Sequence, residues 1–553
     1  TRYNQADPDA YCRQTIQTAA ATSVRDLYDR HLKDYQALFN RVSLHLSPGR
    51  APDTLAQDER LARAKTGFED PYLSELLFQY GRYLLIASSR AGDLPANLQG
   101  LWNQQMNPPW SADYHTNINL QMNYMAAEVA NLPECHLPLF ALMDSLAVSG
   151  RRTAQAMYGA RGWVVHHLTD IFGRTTPADG VVGIWPMGSG WLARHPFEHY
   201  QFSGDKAFLA QRAYPLMKEA ARFYLDFLKP IPAGLPMAGR LVTNPSHSPE
   251  NAFEKADGSQ YQFTYGATMD SQICHDLFTN CLAAIEALST PARNHDPAFK
   301  KELEAALQQL VPLQISPRTG TLQEWIEDYR EPEIGHRHIS HLYGLYPGSQ
   351  ITARTPAWYQ AARRTLVRRL TGNPNARTEE AKNRYQSFGS YLGGKSGGGW
   401  LSVWVSLLWL RLGEAGEAYQ HHQYQLQRGL YPNFFGQAYQ LDGTFGSGAV
   451  IAEMLLQSHT GTVHLLPALP PKWSAGAFTG LRARGGFTVD LAWQAGKPTT
   501  GQIYSRNDAT CRLVCDQPIQ VLHRGRSVPT KKTGPNEVSF ATKAGQLYQI
   551  KGR

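Results

Sequence analysis

The sequence predicts a mainly α protein, an α/α barrel followed by a β-sandwich domain, and three observations predict it. Apolar residues recur at helical spacing in one segment after another from about residue 24 to residue 460. The loops between these segments are longer than the connections of a simple bundle and carry Trp, His and Pro, as in WNQQMNPPWSADYHT, so the helices are expected to surround a loop-lined centre. After about residue 461 the texture changes to short alternating runs, Gly486–Trp493 and Gln546–Ile550 among them, punctuated by Gly, Pro and Asn.

Taken in order, residues 1–23 read as the end of a preceding unit, residues 24–460 as helical and residues 461–553 as a β domain. The clearest helical segments are Ser74–Ser88, Leu137–Met157, Phe208–Leu228 and Met269–Leu288. In the last, Met269, Ile273, Leu277, Cys281 and Ile285 fall every four residues, with Asp270 placed to cap the helix start. The most apolar run, Trp400–Leu410, is far shorter than a bilayer span and lies between Gly399 and Arg411, which predicts a buried helix and no membrane partner.

Composition narrows the function. The net charge of +8 comes from scattered Lys and Arg with no basic block, which argues against nucleic acid as a partner. The six cysteines lack the paired spacing of a zinc site, and no metal is expected. Several of the twelve tryptophans, Trp102, Trp110, Trp191 and Trp400, stand in Gly-rich or polar surroundings, as in clefts where flat rings meet the C–H faces of sugars. No signal-like stretch opens the chain at Thr1, so the compartment is not legible from the residues themselves.

Four stretches carry chemistry. In DYHTNINLQMNY, Asn117, Asn119, Gln121 and Asn123 alternate with apolar residues; an extended segment would put all four amides on one face, and a helix would split them. Amides compete for backbone hydrogen bonds inside helices, so the cluster reads either as fixed polar groups at a site or as a buried packing ladder. Glu250 follows Pro249 in NPSHSPEN, and a carboxyl held there acts as a general acid if a dry, apolar site raises its pKa. Asp442 lies in QLDGTFGSG ahead of a helical run; a phosphate loop is disfavoured because no Lys-Ser/Thr follows. In HRHISH, His338 and His341 have no HExxH-type carboxylate partner, so Arg337 and His338 suit hydrogen bonding to sugar hydroxyls or a carboxylate better than metal binding.

These stretches, with GHRHISHLYGLYPGSQIT, QLDGTFGSGAVIAEMLLQSHTG, WVVHHLTDIFGRTTP and IWPMGSGWLARHPFEHYQFSGDKAF, occur in an order that resembles the inverting α-L-fucosidases of glycoside hydrolase family 95 across nearly the whole chain. The resemblance implies a helical linker over 24–75, an (α/α)6 catalytic barrel over 76–460 and a C-terminal β domain over 461–553, the chain beginning within the last strand of the family's N-terminal β domain, of which 1–23 would be the remnant. It implies Glu250 as general acid, Asp442 as the group that polarises water, and Asn117 and Asn119 as the amides that hold that water. His115, Trp191, Arg337 and His338 would bind the fucosyl unit.

The implied activity is exo-acting removal of terminal α-1,2-linked L-fucose from fucosyl-galactose units of an oligosaccharide, without cofactor or metal, in a periplasmic or secreted setting. Rivals are an α-L-galactosidase, an inverting phosphorylase and a noncatalytic fucosyl-glycan-binding protein. The chain departs from the family pattern at Met125-Ala126 in place of Trp-Pro, Leu168 in place of Asn, Phe172 in place of Trp and Thr444 in place of Asn, and residues 373–396 look like an insertion. These departures put the rim, and so the preference for the rest of the glycan, in question more than the reaction.

Overall fold

The computed structural model describes residues 7–46, 54–290, 295–372, 399–436 and 439–552, so the expected insertion at 373–396 lies outside the described residues. The barrel is a ring of helices closed end on end. Its first helix, Pro71–Ser88, starts at a side-chain cap from Asp70 with Pro71 in the first turn. It packs against the last, Asp442–Leu455, which also packs on Trp400–Arg411. On the other side Leu137–Tyr158, Tyr214–Phe227, Thr268–Leu288 and Pro297–Gln309 follow one another as packed neighbours.

The predicted helices are present with small shifts at their ends: the barrel begins at Pro71, ahead of residue 76, and Trp400–Arg411 is buried along nearly its whole length. Asp270 is not the cap expected of it. Ala267 occupies the N-cap position without a side-chain bond, and Asp270 is fully buried one turn in.

The β domain is two sheets face to face. A seven-stranded sheet is built around Gly476–Ala483, Phe487–Gln494, Lys497–Ser505 and Gln546–Gly552, and a five-stranded sheet runs from Leu456–Gln457 through Val463–Leu465 and Ala509–Val514 to Glu537–Thr542 and Lys531–Gly534. The domain therefore begins at Leu456, five residues ahead of the expected 461.

The start of the chain departs further from expectation. Pro8–Ala20, read as the remnant of a β domain, is a helix with all its residues exposed, begun by Asp7 as cap and Pro8 at its first position. The linker is not helical throughout either: Ser43–His45 forms an edge strand antiparallel to Gly476–Ala483. One contiguous buried cluster consequently runs from the barrel through Val42, Leu44 and Leu46 to Phe478 and Trp493 of the β domain.

Candidate active site

The amide-rich segment builds one wall of the barrel mouth. Tyr114–His115 pairs antiparallel with Leu168–Thr169, which brings the His167 ring edge-on to His115 at 5.2 Å. The chain then makes a short helical turn, Asn119–Asn123, so it is not extended and the four amides divide. Asn117 Nδ2 donates to Glu250 Oε1 (3.2 Å) and Asn119 Nδ2 donates to Asp442 Oδ2 (2.5 Å). Gln121 donates to the Thr116 carbonyl, and Asn123 to those of Ala96 and Asn97. Two amides thus face the two carboxylates and two form the packing ladder, while Ile118, Leu120 and Met122 are buried in the core.

Asp442 opens the last barrel helix and is fully buried. Its Oδ1 accepts from the Gly443 N–H (2.6 Å), and the positive end of the helix favours its charge. Gly443 has to be a glycine here, because a Cβ would fall 2.4 Å from the Gly399 backbone. Burial pushes the Asp442 carboxyl up to about 6, against the opposing pull of the Asn119 hydrogen bond. Thr444, where the family pattern has Asn, turns its hydroxyl to the Phe434 carbonyl (3.0 Å).

Glu250 is the opposite case: a dry, apolar site, the condition for raising its pKa, is not what surrounds it. Arg337 donates to its Oε2, His338 Nε2 lies 3.4 Å from the same oxygen, and His167 Nε2 lies 3.6 Å from Oε1. Burial opposes ionisation, but these imidazoles and the guanidinium outweigh it and hold the carboxyl far below the usual range.

The Glu250 loop is pinned by two buried carboxylates. Asp270 accepts from Thr243 (2.9 Å), Ser246 (2.7 Å) and Trp185 (3.3 Å), and burial pushes it up to about 7. Glu324 accepts from Ser248 (2.8 Å) and Asn251 (3.1 Å) and pairs with Arg369.

Most of the sequence-predicted residues meet here. His115 is buried with Nδ1 2.6 Å from Asp113 Oδ1, and His338 is buried with its ring 4.6 Å from that of Trp400. Arg337 reaches Glu250 from a side chain that is 49% exposed. Trp191 is placed differently: it is 1% exposed, edge-on to Tyr343 (5.1 Å) and beside Trp404 (6.1 Å), which in turn neighbours Trp400. It stands behind the ring that touches His338 and lines a small separate cavity with Arg194, Arg411 and Glu453.

The three imidazoles of HRHISH diverge. His336 Nδ1 accepts from the His338 N–H, while His341 Nδ1 lies 3.6 Å from Glu324. Nothing local in the sequence marks Asp113, Asp270 or Glu324 as site residues, and His167 shows only as half of a His-His pair. The adjacent pair in WVVHHLTD was the one visible signal, and nothing local separates His167, at Glu250, from His166, which bonds Tyr158 and the Thr175 carbonyl.

Two buried-to-half-buried carboxylates, each tethered by an amide of one segment and ringed by imidazoles, an arginine and indoles, can transfer protons across a neutral, hydroxyl-rich ligand. The profile of the Glycosyl hydrolase family 95 catalytic domain matches residues 23–455, and that of the Glycoside hydrolase family 95, C-terminal domain, matches residues 457–550. Alpha-L-fucosidase 2 of Arabidopsis thaliana is 42% identical over 532 residues, covering 92% of this chain and 59% of its own length. Probable alpha-fucosidase A of Aspergillus niger is 34% identical over 505 residues, covering 87% of this chain and 59% of its own. The chain thus spans about three-fifths of the length of these relatives. Among solved structures, a putative kojibiose phosphorylase from human microbiome superposes with a TM-score of 0.56 at 10% identity over 98% of this chain and 74% of its own, a likeness of fold alone. With both profiles matched along nearly its whole length, the chain belongs to glycoside hydrolase family 95.

Proposed function

We propose that the protein is an exo-acting 1,2-α-L-fucosidase that releases terminal fucose from fucosyl-galactose units by a single, inverting displacement. One observation carries the reading: Asn117 and Asn119, two residues apart, each donate to a different carboxylate, Glu250 and Asp442, so one segment sets the geometry of an acid–base pair. The family membership and the names of the two relatives support fucose as the sugar released.

In this reading Glu250 protonates the glycosidic oxygen as the C1–O bond stretches. Asp442, near 6 and therefore largely ionised at neutral pH, takes the proton of a water attacking the opposite face. The buried Asn117 Oδ1 has no partner among the described residues and is available to accept from that water. Arg337 extends from the surface, and sugar hydroxyls that draw it off Glu250 would remove a cation that now holds the carboxyl ionised. His115 and His338 supply further donors to the fucosyl hydroxyls.

Incubation with 2′-fucosyllactose, followed by proton NMR from the first turnovers, should show β-L-fucose before the α anomer. First appearance of α-L-fucose would require a covalent intermediate and defeat the reading.

A specific observation favours a second assignment within the same reaction: without ligand, Glu250 is held ionised while Asp442 is raised, the order expected if Asp442 were the acid and Glu250 the base. Glu250→Ala separates the two. If Glu250 is the acid, the variant loses natural glycans but keeps a fucosyl fluoride, whose leaving group needs no proton. If Glu250 is the base, both substrates suffer alike.

A further inference from the structure

A second cleft, of about 410 Å³, opens between the loop 99–105 and the rings of Phe435 and Tyr439. Its floor is the loop 97–105, tied on one side to the start of the Asp442 helix, where the Leu441 N–H donates to the Leu98 carbonyl (3.0 Å). On the other side the Leu98 N–H donates to the Asp113 carbonyl (3.1 Å), and the Asp113 carboxylate lies 2.6 Å from His115. The cleft is therefore anchored to both flanks of the fucosyl pocket, but neither carboxylate lines it.

Its chemistry differs from that of the pocket. Trp102, Phe435 and Tyr439 give aromatic surface, and Gln99, Gln104 and Gln105 give neutral amides; no described lining residue is charged. Trp102 lies across the turn at Gly100, which has φ +67° and whose missing Cβ would fall 2.8 Å from the ring, and meets Phe435 edge-on at 5.6 Å. Tyr439, 39% exposed, completes the row edge-on to Phe435 at 6.2 Å. Gln99, a residue of the cleft lining, is 3% exposed, and its buried Oε1 has no hydrogen-bond partner among the described residues. A buried amide oxygen without a partner is destabilising unless a ligand or water satisfies it, which marks a position built for a donor.

Aromatic faces fit the C–H faces of pyranoses, amides fit their hydroxyls, and the absence of charge among the lining residues fits a neutral chain rather than an anionic one. The volume falls within the roughly 300–1,000 Å³ of ligand sites. Resting on the proposed fucosidase reading, we infer that this cleft holds sugar units of a longer neutral oligosaccharide beyond the fucosyl-galactose unit, making the enzyme selective for extended glycans over trisaccharides. Gln99 Oε1 accepts from a hydroxyl there, and Trp102 and Tyr439 stack against the sugar rings.

The test pairs 2′-fucosyllactose with a nine-sugar xyloglucan fragment bearing the same terminal fucosyl-galactose. In the wild type the longer substrate should have the lower KM. Trp102→Ala and Tyr439→Ala should each lower kcat/KM on it by roughly three- to tenfold through KM, while 2′-fucosyllactose changes less than about twofold. Trp102→Phe should retain much of the preference. Equal losses on both substrates would make these rings structural supports, and no loss on either would remove the cleft from the reaction; both outcomes overturn the inference. The same fragment without its fucose, which no fucosidase turns over, should quench tryptophan fluorescence in the wild type but not in Trp102→Ala. Binding of that fragment without fucose release from either substrate would sink the fucosidase reading and leave the cleft assigned. Failure to bind it, with fucose release intact, would sink the cleft alone.

Discussion

At the scale of single residues, neutral and cationic neighbours set the two carboxylates of the proposed site to different proton affinities. Asp442 sits near 6 because burial raises it and the Asn119 amide restrains the rise. Loss of that donor in Asn119→Ala should push Asp442 higher. In the proposed reading Asp442 is the base, and a base is lost as pH falls through its pKa, so the acid limb of kcat/KM, near pH 6 in the wild type, should move to higher pH in the variant; an unmoved limb would detach Asn119 from the base. Asn117→Ala should lower kcat by about 10²–10⁴ with a smaller change in KM, the scale of lost acid–base assistance, and near-normal kcat in the folded variant would make Asn117 a packing residue. Alternating amides were legible as a polar cluster from the sequence. Their division was not, because it depends on the helical turn at Asn119–Asn123 and on acceptors as distant in sequence as Glu250 and Asp442. His167 was illegible for the same reason: a two-residue strand pairing beside it, His115 with Leu168, places it at the site.

At the scale of elements, the loop Thr243–Asn251 is held at both ends by buried acids, and that bracketing positions Glu250. Each acid gathers hydroxyl or amide donors that would otherwise be buried without partners, so the loop is fixed by hydrogen bonds rather than by its own propensity. Ser248→Ala removes one donor from Glu324, a fully buried group, and should cost about 1–3 kcal/mol of stability. Thermal melts would measure it, and kcat should fall with little change in KM because only the placement of Glu250 is loosened. A drop in stability with untouched kcat would show that the bracketing serves the fold alone. The long helices were legible because their apolar spacing is local information, and Thr268–Leu288 appears within one residue of its predicted bounds. Asp270 shows the limit of that reasoning: its position near a helix start looked like a cap, but its partners Thr243, Ser246 and Trp185 come from other segments and no periodicity announces them. The strand Ser43–His45 escaped notice because three residues carry no alternation, and its partner lies more than four hundred residues downstream.

At the scale of the whole molecule, barrel and β domain share buried charge as well as a core. Glu128, fully buried, accepts from His136 (3.1 Å) and His199 (2.6 Å) on the barrel and from Arg482 (3.1 Å) on the β strand Gly476–Ala483. Arg482 also donates to the Phe202 carbonyl (2.8 Å), and nearby Arg484 pairs with Glu198 of the barrel. Burial opposes its charge, but the His136 and His199 imidazoles outweigh it and hold the Glu128 carboxyl well below the usual range, so its partners are part of its stability. The Glu128, His136 and His199 group has the spacing of a metal site, but an arginine already occupies the remaining carboxylate oxygen, and the added positive charge opposes a cation there. Taking Arg482 away leaves that charge short of a partner inside the interface, and breaking a buried pair from one side costs about 3–5 kcal/mol. Arg482→Met should therefore lower the melting temperature of the barrel itself, although the substitution lies in the β domain, and the wild type should melt in one calorimetric transition. Adding Glu128→Gln to the variant should recover part of the loss, since the stranded charge is then gone. Two separate transitions in the wild type, or a barrel transition indifferent to Arg482→Met, would show that the domains fold independently and that the shared charge does not couple them.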